Sequence, residues 1–200
     1  MSETRMPKQK RSIEKRNKII SEGFKLMCEQ GYYNINTNDI AKYAGVSTGI
    51  IYQYFNDKKE IFIEGIKTYS DNIMFPILDV LKNNDVKIDN LEKLLDQMLD
   101  IFIKKHTLSK KAHEEMVAMS HLDSDIADIF HKREIDTTKA IIETLNENHI
   151  TTENLFEKVH IIIGIVENYC HEIVYHHHQT MNYDIMKKEV IKIITNILTN

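Results

Sequence analysis

The 200-residue sequence predicts an all-α protein. Only two prolines and six glycines interrupt the chain, and no stretch alternates apolar and polar residues as a half-buried strand does. Apolar residues recur at intervals of three and four, which is the spacing of the buried face of a helix. These observations predict about nine helices.

The chain divides into helices in the following order. The first predicted helix covers residues 12–30, and two short helices follow within residues 36–55. A fourth begins at a capping box formed by Asp57 and Glu60, and we expect Pro76 to kink or break it. The later helices are predicted at about residues 89–106, 109–119, 123–145, 151–178 and 183–198.

The stretch from Asn36 to Phe55 has the pattern of two helices joined by a tight turn. Asn36 suits an N-cap, and Asp39 stands three residues on, where it completes a capping box. Gly45 is placed to turn the chain with a positive φ. The side chains expected to face outward from the second helix are Thr48, Gly49, Tyr52 and Gln53. A short helix with a polar outer face, held by its predecessor, suits the major groove of DNA.

A longer set of residues keeps a characteristic register around this helix pair. Its members are Gly31, Tyr32, Asp39, Ile40, Ala41, Ala44, Gly45, Val46, Ser47, Gly49, Tyr52, Tyr54, Phe55, Lys58 and Glu60. In this register the chain resembles the TetR family of bacterial transcriptional regulators, closely over about residues 12–66. The positions that depart from the residues common in that family are Ile35, Thr37, Thr48 and Gln53. The base preferences of other members therefore do not transfer to this chain.

The second helix offers two kinds of DNA contact. Gln53 suits the edge of adenine, Thr48 suits a hydrogen bond or a thymine methyl group, and Gly49 lets the backbone come close. The resemblance implies that Tyr52, Tyr54 and Lys58 contact phosphates, while a core position for either tyrosine is the alternative. The full predicted DNA-binding set is Asn36, Thr37, Ser47, Thr48, Gly49, Tyr52, Gln53, Tyr54 and Lys58.

The charge distribution agrees with a DNA-binding N-terminal region. The formal net charge is −4, but residues 1–25 hold eight lysines and arginines against three glutamates. This region therefore carries +5, and the rest of the chain carries −9. A basic head on an acidic body favours orientation on a phosphate backbone. A solvated charged tail is the alternative for residues 1–11.

Composition also bears on location and chemistry. No apolar run approaches the roughly 18 residues that span a bilayer, and the N-terminus lacks the apolar region of a secretory signal. Cys28 and Cys170 are predicted to be free, buried thiols in a reducing compartment, which indicates the bacterial cytoplasm. With no phosphate loop and no nucleophile beside a base, an enzyme is disfavoured and no cofactor is predicted.

We predict a DNA-binding head at residues 1–66 and a helical body at residues 67–200, joined through the fourth helix. The resemblance implies that the body encloses a small-molecule pocket. The predicted pocket residues are Tyr69, Met98, Phe102, Met119, Phe130, Glu167 and Tyr169. Plain core packing is the alternative for each of them. Glu167 stands in an apolar helix and needs a partner, either a cationic ligand or, alternatively, solvent or an intrachain ion pair.

The last two helices are more apolar than one body requires, which predicts a four-helix contact between two copies of the chain. The predicted contact residues are Ile173, Val190, Ile193, Ile194 and Ile197. A stripe of His160, Glu167, His171 and His178 also runs along one helix. Glu167 and His171 have the spacing of two metal ligands, but a polar stripe facing solvent or the dimer contact is favoured, so no metal is predicted.

The family resemblance, together with these observations, implies a homodimeric repressor that a small-molecule effector releases from a palindromic operator. The effector is expected to be apolar or aromatic, with a cationic group as one variant. The alternative is a DNA-binding protein of the same fold without such an effector, controlled by a protein partner or acting in chromosome organisation.

Overall fold

A computed structural model describes residues 9–73, 88–108 and 110–199, without the side chains of residues 70–73 and 108. Within these ranges the chain forms nine α-helices, a 3-10 turn at Tyr32–Asn34 and no strand, so the predicted all-α class is confirmed. The helices are α1 Lys10–Gln30, α2 Thr37–Ala44, α3 Thr48–Tyr54, α4 Lys58–Ile73, α5 Leu91–Leu108, α6 Lys110–Leu122, α7 Ser124–Glu147, α8 Leu155–Val174 and α9 Tyr183–Thr199. The predicted break at Pro76 lies outside the described residues.

Helix α8 corrects the predicted helix at residues 151–178, which was too long at both ends. Asn154 precedes α8 with φ 54°, a left-handed conformation that asparagine tolerates and that interrupts a helix. At the other end α8 stops at Val174, and residues 176–178 are exposed and not helical. The apolar spacing shows that a helix exists, whereas its ends depend on these backbone conformations.

The chain forms two compact units. The first unit consists of Met1–Ser70 and Lys111–Ala127, and the second of Asp71–Lys110 and Asp128–Asn200. Nearly all of α6 therefore belongs with the N-terminal helices, although it follows them by about 40 residues in the sequence. The predicted boundary at residue 66 between a head and a body stays a prediction.

The first unit packs aromatic residues between α1 and α4. The ring of Phe24 lies 5.3 Å from that of Phe62 and stacks on Tyr69 at 5.6 Å between centroids. The Phe24 side chain packs directly on the backbone of Gly65, and a Cβ atom at position 65 would lie only 2.4 Å from Cδ2 of Phe24. A Cβ atom on Gly23 would lie 2.9 Å from a methyl group of Ile61. Both glycines allow α1 to approach its neighbours more closely than an alanine would.

The second unit has its core where α5, α8 and α9 pack against one another. The buried residues of this core are Leu99, Phe102, Leu145, Val159, Ile162, Tyr169, Cys170, Val190, Ile194 and Leu198. Lys187 ties α9 to α5 through ion pairs of 2.7 Å to Asp96 and Asp100. No helix in the described ranges is long and apolar enough to cross a membrane.

Both cysteines are buried and free, as predicted. Burial raises the pKa of the Cys28 thiol and of the Cys170 thiol, each to about 12. Both groups therefore stay protonated and unreactive at neutral pH.

Candidate nucleic-acid interface

The turn between α2 and α3 forms as the local sequence predicts. The Asn36 side chain accepts hydrogen bonds from the backbone amides of Asn38 and Asp39 at 2.9 and 3.1 Å. In return the Asp39 carboxylate accepts one from the Asn36 amide at 2.9 Å, which completes the capping box. Gly45 ends α2 with φ 68°, a conformation that costs glycine less than other residues. The capping box and the positive φ are both confirmed.

Helix α3 has a buried side and an exposed side. Ile51 and Phe55 are buried in the first unit, while Tyr52 is 54% exposed and Gln53 is exposed. Gly49 is exposed too, and a Cβ atom there would meet no neighbour closer than 4.0 Å. Packing within the described part of the chain therefore does not require a glycine at position 49. The exposed side of α3 has the size and polarity that suit a major groove.

The remaining predicted base and phosphate contacts surround this exposed side. Thr48 is half-buried, and its hydroxyl donates a hydrogen bond to the Asn38 side chain at 2.8 Å, which links α3 to α2. Ser47 is exposed at the N-cap of α3, and Thr37 and Tyr54 are half-buried. The structure therefore brings these residues near one helix pair, while their contacts with DNA stay a prediction.

Lys58 has a structural role that the sequence did not predict. Its ammonium group donates hydrogen bonds to the carbonyl oxygens of Tyr32 and Ile35, both at 2.7 Å, and lies 4.3 Å from the centre of the Tyr32 ring. Burial lowers the pKa of this lysine. The side chain therefore joins the first turn of α4 to the segment between α1 and α2, and its phosphate contact stays a prediction.

The basic residues of α1 differ in whether their charge is paired within the chain or exposed to solvent. Arg16 pairs with Glu64 at 2.7 Å and lies 5.0 Å above the Phe55 ring, so its charge is used inside the unit. Lys18 is exposed, and its ammonium lies 3.6 Å from the place that a Cβ atom of Gly45 would occupy. The other exposed cations of α1 and α2 are Lys10, Arg11, Lys15, Lys25 and Lys42. These groups supply the positive charge that phosphate binding requires.

The segment Lys111–Ala127 contributes contacts to the first unit that the sequence did not reveal. The Glu115 carboxylate accepts a hydrogen bond from the Tyr32 backbone amide. The Lys59 ammonium lies 2.7 Å from carboxylate oxygens of both Asp123 and Asp125. Hydrogen bonds to these two carboxylates raise the pKa of Lys59. No short sequence motif indicates such pairs, because the partners lie more than 60 residues apart.

The predicted pocket residues do not form one cluster within one unit. Tyr69 and Met119 belong to the first unit, and Met98, Phe102, Phe130, Glu167 and Tyr169 belong to the second. Tyr69 stacks on Phe24, while Phe102 and Tyr169 are buried in the second core. For these three residues the structure shows the packing role that the sequence left as an alternative. The small-molecule pocket stays a prediction.

Glu167 has partners within its own unit. One carboxylate oxygen lies 3.3 Å from Nε2 of His106 on α5 and 3.7 Å from Nε2 of His171 one turn along α8. Burial alone would lower the pKa of His106, but the hydrogen bond to Glu167, the charge of that carboxylate and the hydrogen bond to the Phe102 carbonyl together outweigh burial and raise the pKa. Burial lowers the pKa of His171. His160 and His178 instead lie opposite Glu134 and Glu172, so the predicted stripe does not converge.

The residues of the predicted dimer contact differ in exposure, and the contact itself stays a prediction. Val190 is buried and Ile194 is 0% exposed in the single chain, so these two side chains have little surface for a second copy to contact. Ile193 is 45% exposed, and Ile173 and Ile197 are half-buried. Apolar side chains that the sequence did not single out, Ile161 on α8 and Ile185 on α9, are more than half exposed.

Comparison with known proteins places the N-terminal helices in one family. The sequence profile described as bacterial regulatory proteins, tetR family, matches residues 19–64. A 58-residue stretch is 50% identical to the HTH-type transcriptional regulator HbdR of Aromatoleum sp. (strain CIB) and covers 29% of this chain and 25% of HbdR.

Two longer similarities cover nearly the whole chain. The uncharacterised HTH-type transcriptional regulator YvdT of Bacillus subtilis (strain 168) is 26% identical over 201 residues, which cover 96% of this chain and 98% of YvdT. A transcriptional regulator from Saccharomonospora viridis, solved in complex with choline, has the same fold with a TM-score of 0.69 at 15% identity. That similarity covers 94% of this chain and 99% of the solved one.

Proposed function

This chain is a DNA-binding transcriptional regulator of the TetR family, not an enzyme, and from that premise we propose a homodimeric repressor that a small-molecule effector releases from a palindromic operator in the bacterial cytoplasm. The observation that carries the proposal is the exposed side of α3. Gly49, Tyr52 and Gln53 face solvent from a helix whose other side is fixed in the core. Packing among the described residues does not account for their identities, whereas a DNA groove does.

The small size of the exposed surface on α3 supports the proposal of a dimer. One seven-residue helix covers few base pairs, whereas two heads spaced about 34–36 Å apart bind both halves of a palindrome. Ile161, Ile185 and Ile193 expose apolar surface on α8 and α9, the last two helices, where the family-based expectation puts the contact. This exposed surface supports the proposal that two copies meet there.

The effector is proposed to be a small apolar or aromatic molecule, with a cationic group as one variant. The Saccharomonospora viridis regulator was solved with choline, which supports a small organic ligand for this fold. An effector releases DNA only if it binds the conformation that does not fit the operator more tightly than the one that does. Operator DNA must then weaken effector binding by the same factor, typically 5–150-fold.

Selection of binding sites from random DNA tests the role of α3. We expect wild-type protein to select a palindrome and Gln53→Ala to select a site with at least one changed or relaxed position in each half. Tyr52→Phe is the matched control, because losing a phosphate contact weakens binding to all sequences alike and leaves the consensus unchanged. An unchanged consensus at unchanged stringency in Gln53→Ala refutes base recognition by this residue.

Calorimetric titration tests the release step. Effector is titrated into the protein with and without the selected operator, and the two dissociation constants are expected to differ 5–150-fold. Equal constants refute release by that effector. Operator binding that no compound in a chemical library weakens favours the alternative, a regulator of the same fold controlled by a protein partner.

A further inference from the structure

His106, Glu167 and His171 bring three ligand atoms of the second unit together from two helices. The ligand atoms of these residues lie within 4.8 Å of one another. His106 comes from α5 and is 61 residues from Glu167 in the sequence, so the cluster is a product of the packing of α5 on α8. Two imidazoles and one carboxylate are a common ligand set for a divalent transition metal.

The distances within the cluster fit a shared metal ion. Zinc binds nitrogen and oxygen at about 2.0–2.2 Å, which places neighbouring ligand atoms of a tetrahedral site about 3.3–3.6 Å apart. The Glu167 oxygen lies 3.3 Å from Nε2 of His106 and 3.7 Å from Nε2 of His171. Both separations are therefore close to those that a bound ion would impose.

The orientation of His106 adds an independent argument. Its Nδ1 atom lies 2.8 Å from the Phe102 carbonyl oxygen, and a carbonyl only accepts, so Nδ1 carries a proton. In the neutral ring Nε2 then holds a lone pair directed at the Glu167 carboxylate, another acceptor. A cation between the two atoms removes this conflict, and it is either a proton or a metal ion. A backbone carbonyl that fixes the far nitrogen is the usual support of a metal-binding histidine.

We propose that His106, Glu167 and His171 bind one divalent transition-metal ion of the zinc, cobalt and nickel class. A metal ion there would add a cation to the two imidazoles that already lie beside the Glu167 carboxylate. The proposal goes beyond operator release and does not depend on it, because metal binding is measured without DNA.

Cobalt titration of the full-length protein, first stripped with a chelator, tests the site. We expect one Co²⁺ per chain, seen by its visible absorption bands, and displacement of that ion by Zn²⁺. Glu167→Gln keeps the side-chain volume and removes a negative ligand, and His171→Ala removes an imidazole. Changes in the groups that merely support ligands cost 10–100-fold in affinity, so each ligand variant is expected to bind at least about 100-fold more weakly.

The exposed run His176–His178 supplies the matched control, because a purified protein can chelate metal there without a built site. A variant with all three of these histidines changed to alanine is expected to keep the wild-type affinity and stoichiometry. Circular dichroism establishes that each variant is folded. The proposal is overturned if wild-type protein binds no Co²⁺ or Zn²⁺, if Glu167→Gln and His171→Ala bind like wild type, or if binding is lost only in the triple variant.

Discussion

Gly65→Ala is the substitution for which the structure gives the most definite expectation. The new Cβ atom would lie 2.4, 2.5 and 2.6 Å from Cδ2, Cγ and Cβ of Phe24, whereas carbon atoms pack best at about 3.5–4.0 Å. The chain must therefore open by about 1 Å at this crossing. Phe24 has little room to move, because its ring packs on Phe62 and Tyr69 and its own Cβ is one of the crowded atoms.

The expected cost follows from two opposing effects. Overpacking of a core costs about 1–3 kcal/mol or more, while replacing glycine by alanine inside a helix gains up to about 1 kcal/mol. Because the overlap at Gly65 involves atoms near the Phe24 backbone, we expect a net loss of about 2 kcal/mol in the free energy of unfolding. Urea denaturation of the full-length protein measures it, with the slope of the transition unchanged.

Alanine substitutions at Gly23 and Gly49 serve as comparisons, because the space around these two glycines is less crowded than at Gly65. At Gly23 the new methyl group meets methyl tips of Ile61 and Ile40 at 2.9 and 3.0 Å, which give way more easily, so we expect a loss of about 1 kcal/mol or less. At Gly49 no described atom is crowded, so we expect Gly49→Ala to keep its stability or gain up to about 1 kcal/mol, and to weaken DNA binding. A Gly65→Ala protein within about 0.5 kcal/mol of wild type refutes the reasoning, which rests on the overpacking cost.

Three further predictions follow from burial and capping. Ile193→Glu is expected to give folded monomers in analytical ultracentrifugation, whereas Ile194→Glu unfolds the second unit because it buries an unpaired charge; an intact Ile193→Glu dimer would move the contact elsewhere. Asn36→Ala removes the capping box and should cost about 1 kcal/mol in urea denaturation, with equal stability counting against the cap. The thiols of Cys28 and Cys170 ionise in the unfolded chain near pH 9 but stay protonated in the folded chain up to about pH 12. The free energy of unfolding should therefore fall as the pH rises from about 9 toward 12, and a flat profile in this range would contradict the burial of both thiols.

Local rules explain what the sequence predicted well. The Asn36–Asp39 box, the positive φ of Gly45 and the two sides of α3 depend on residues within one or two turns of each other. Capping, turn geometry and helical periodicity act over this range, so they are visible in the sequence.

Tertiary packing explains what the sequence did not show. The approach of His106 to Glu167 and the contact of Lys59 with Asp123 join residues more than 60 positions apart. The apolar spacing of α9 likewise could not show which side of the helix faces its own core, and Ile194 proved to be buried. Choosing among apolar faces requires the neighbouring helices, which a single sequence does not place.

The contacts of Glu115 and Asp123 with the first unit have a consequence during synthesis. A ribosome that has completed residue 70 must still translate residues 71–127, which takes on the order of 3–11 s at 5–20 residues/s. For most of that interval Glu115 and Asp123, the carboxylate partners of the Tyr32 amide and the Lys59 ammonium, have not yet been synthesised. The capping box and the turn of the α2–α3 pair depend only on nearby residues, so they can form in the nascent chain. The contacts that Glu115 and Asp123 make with the first unit form only later.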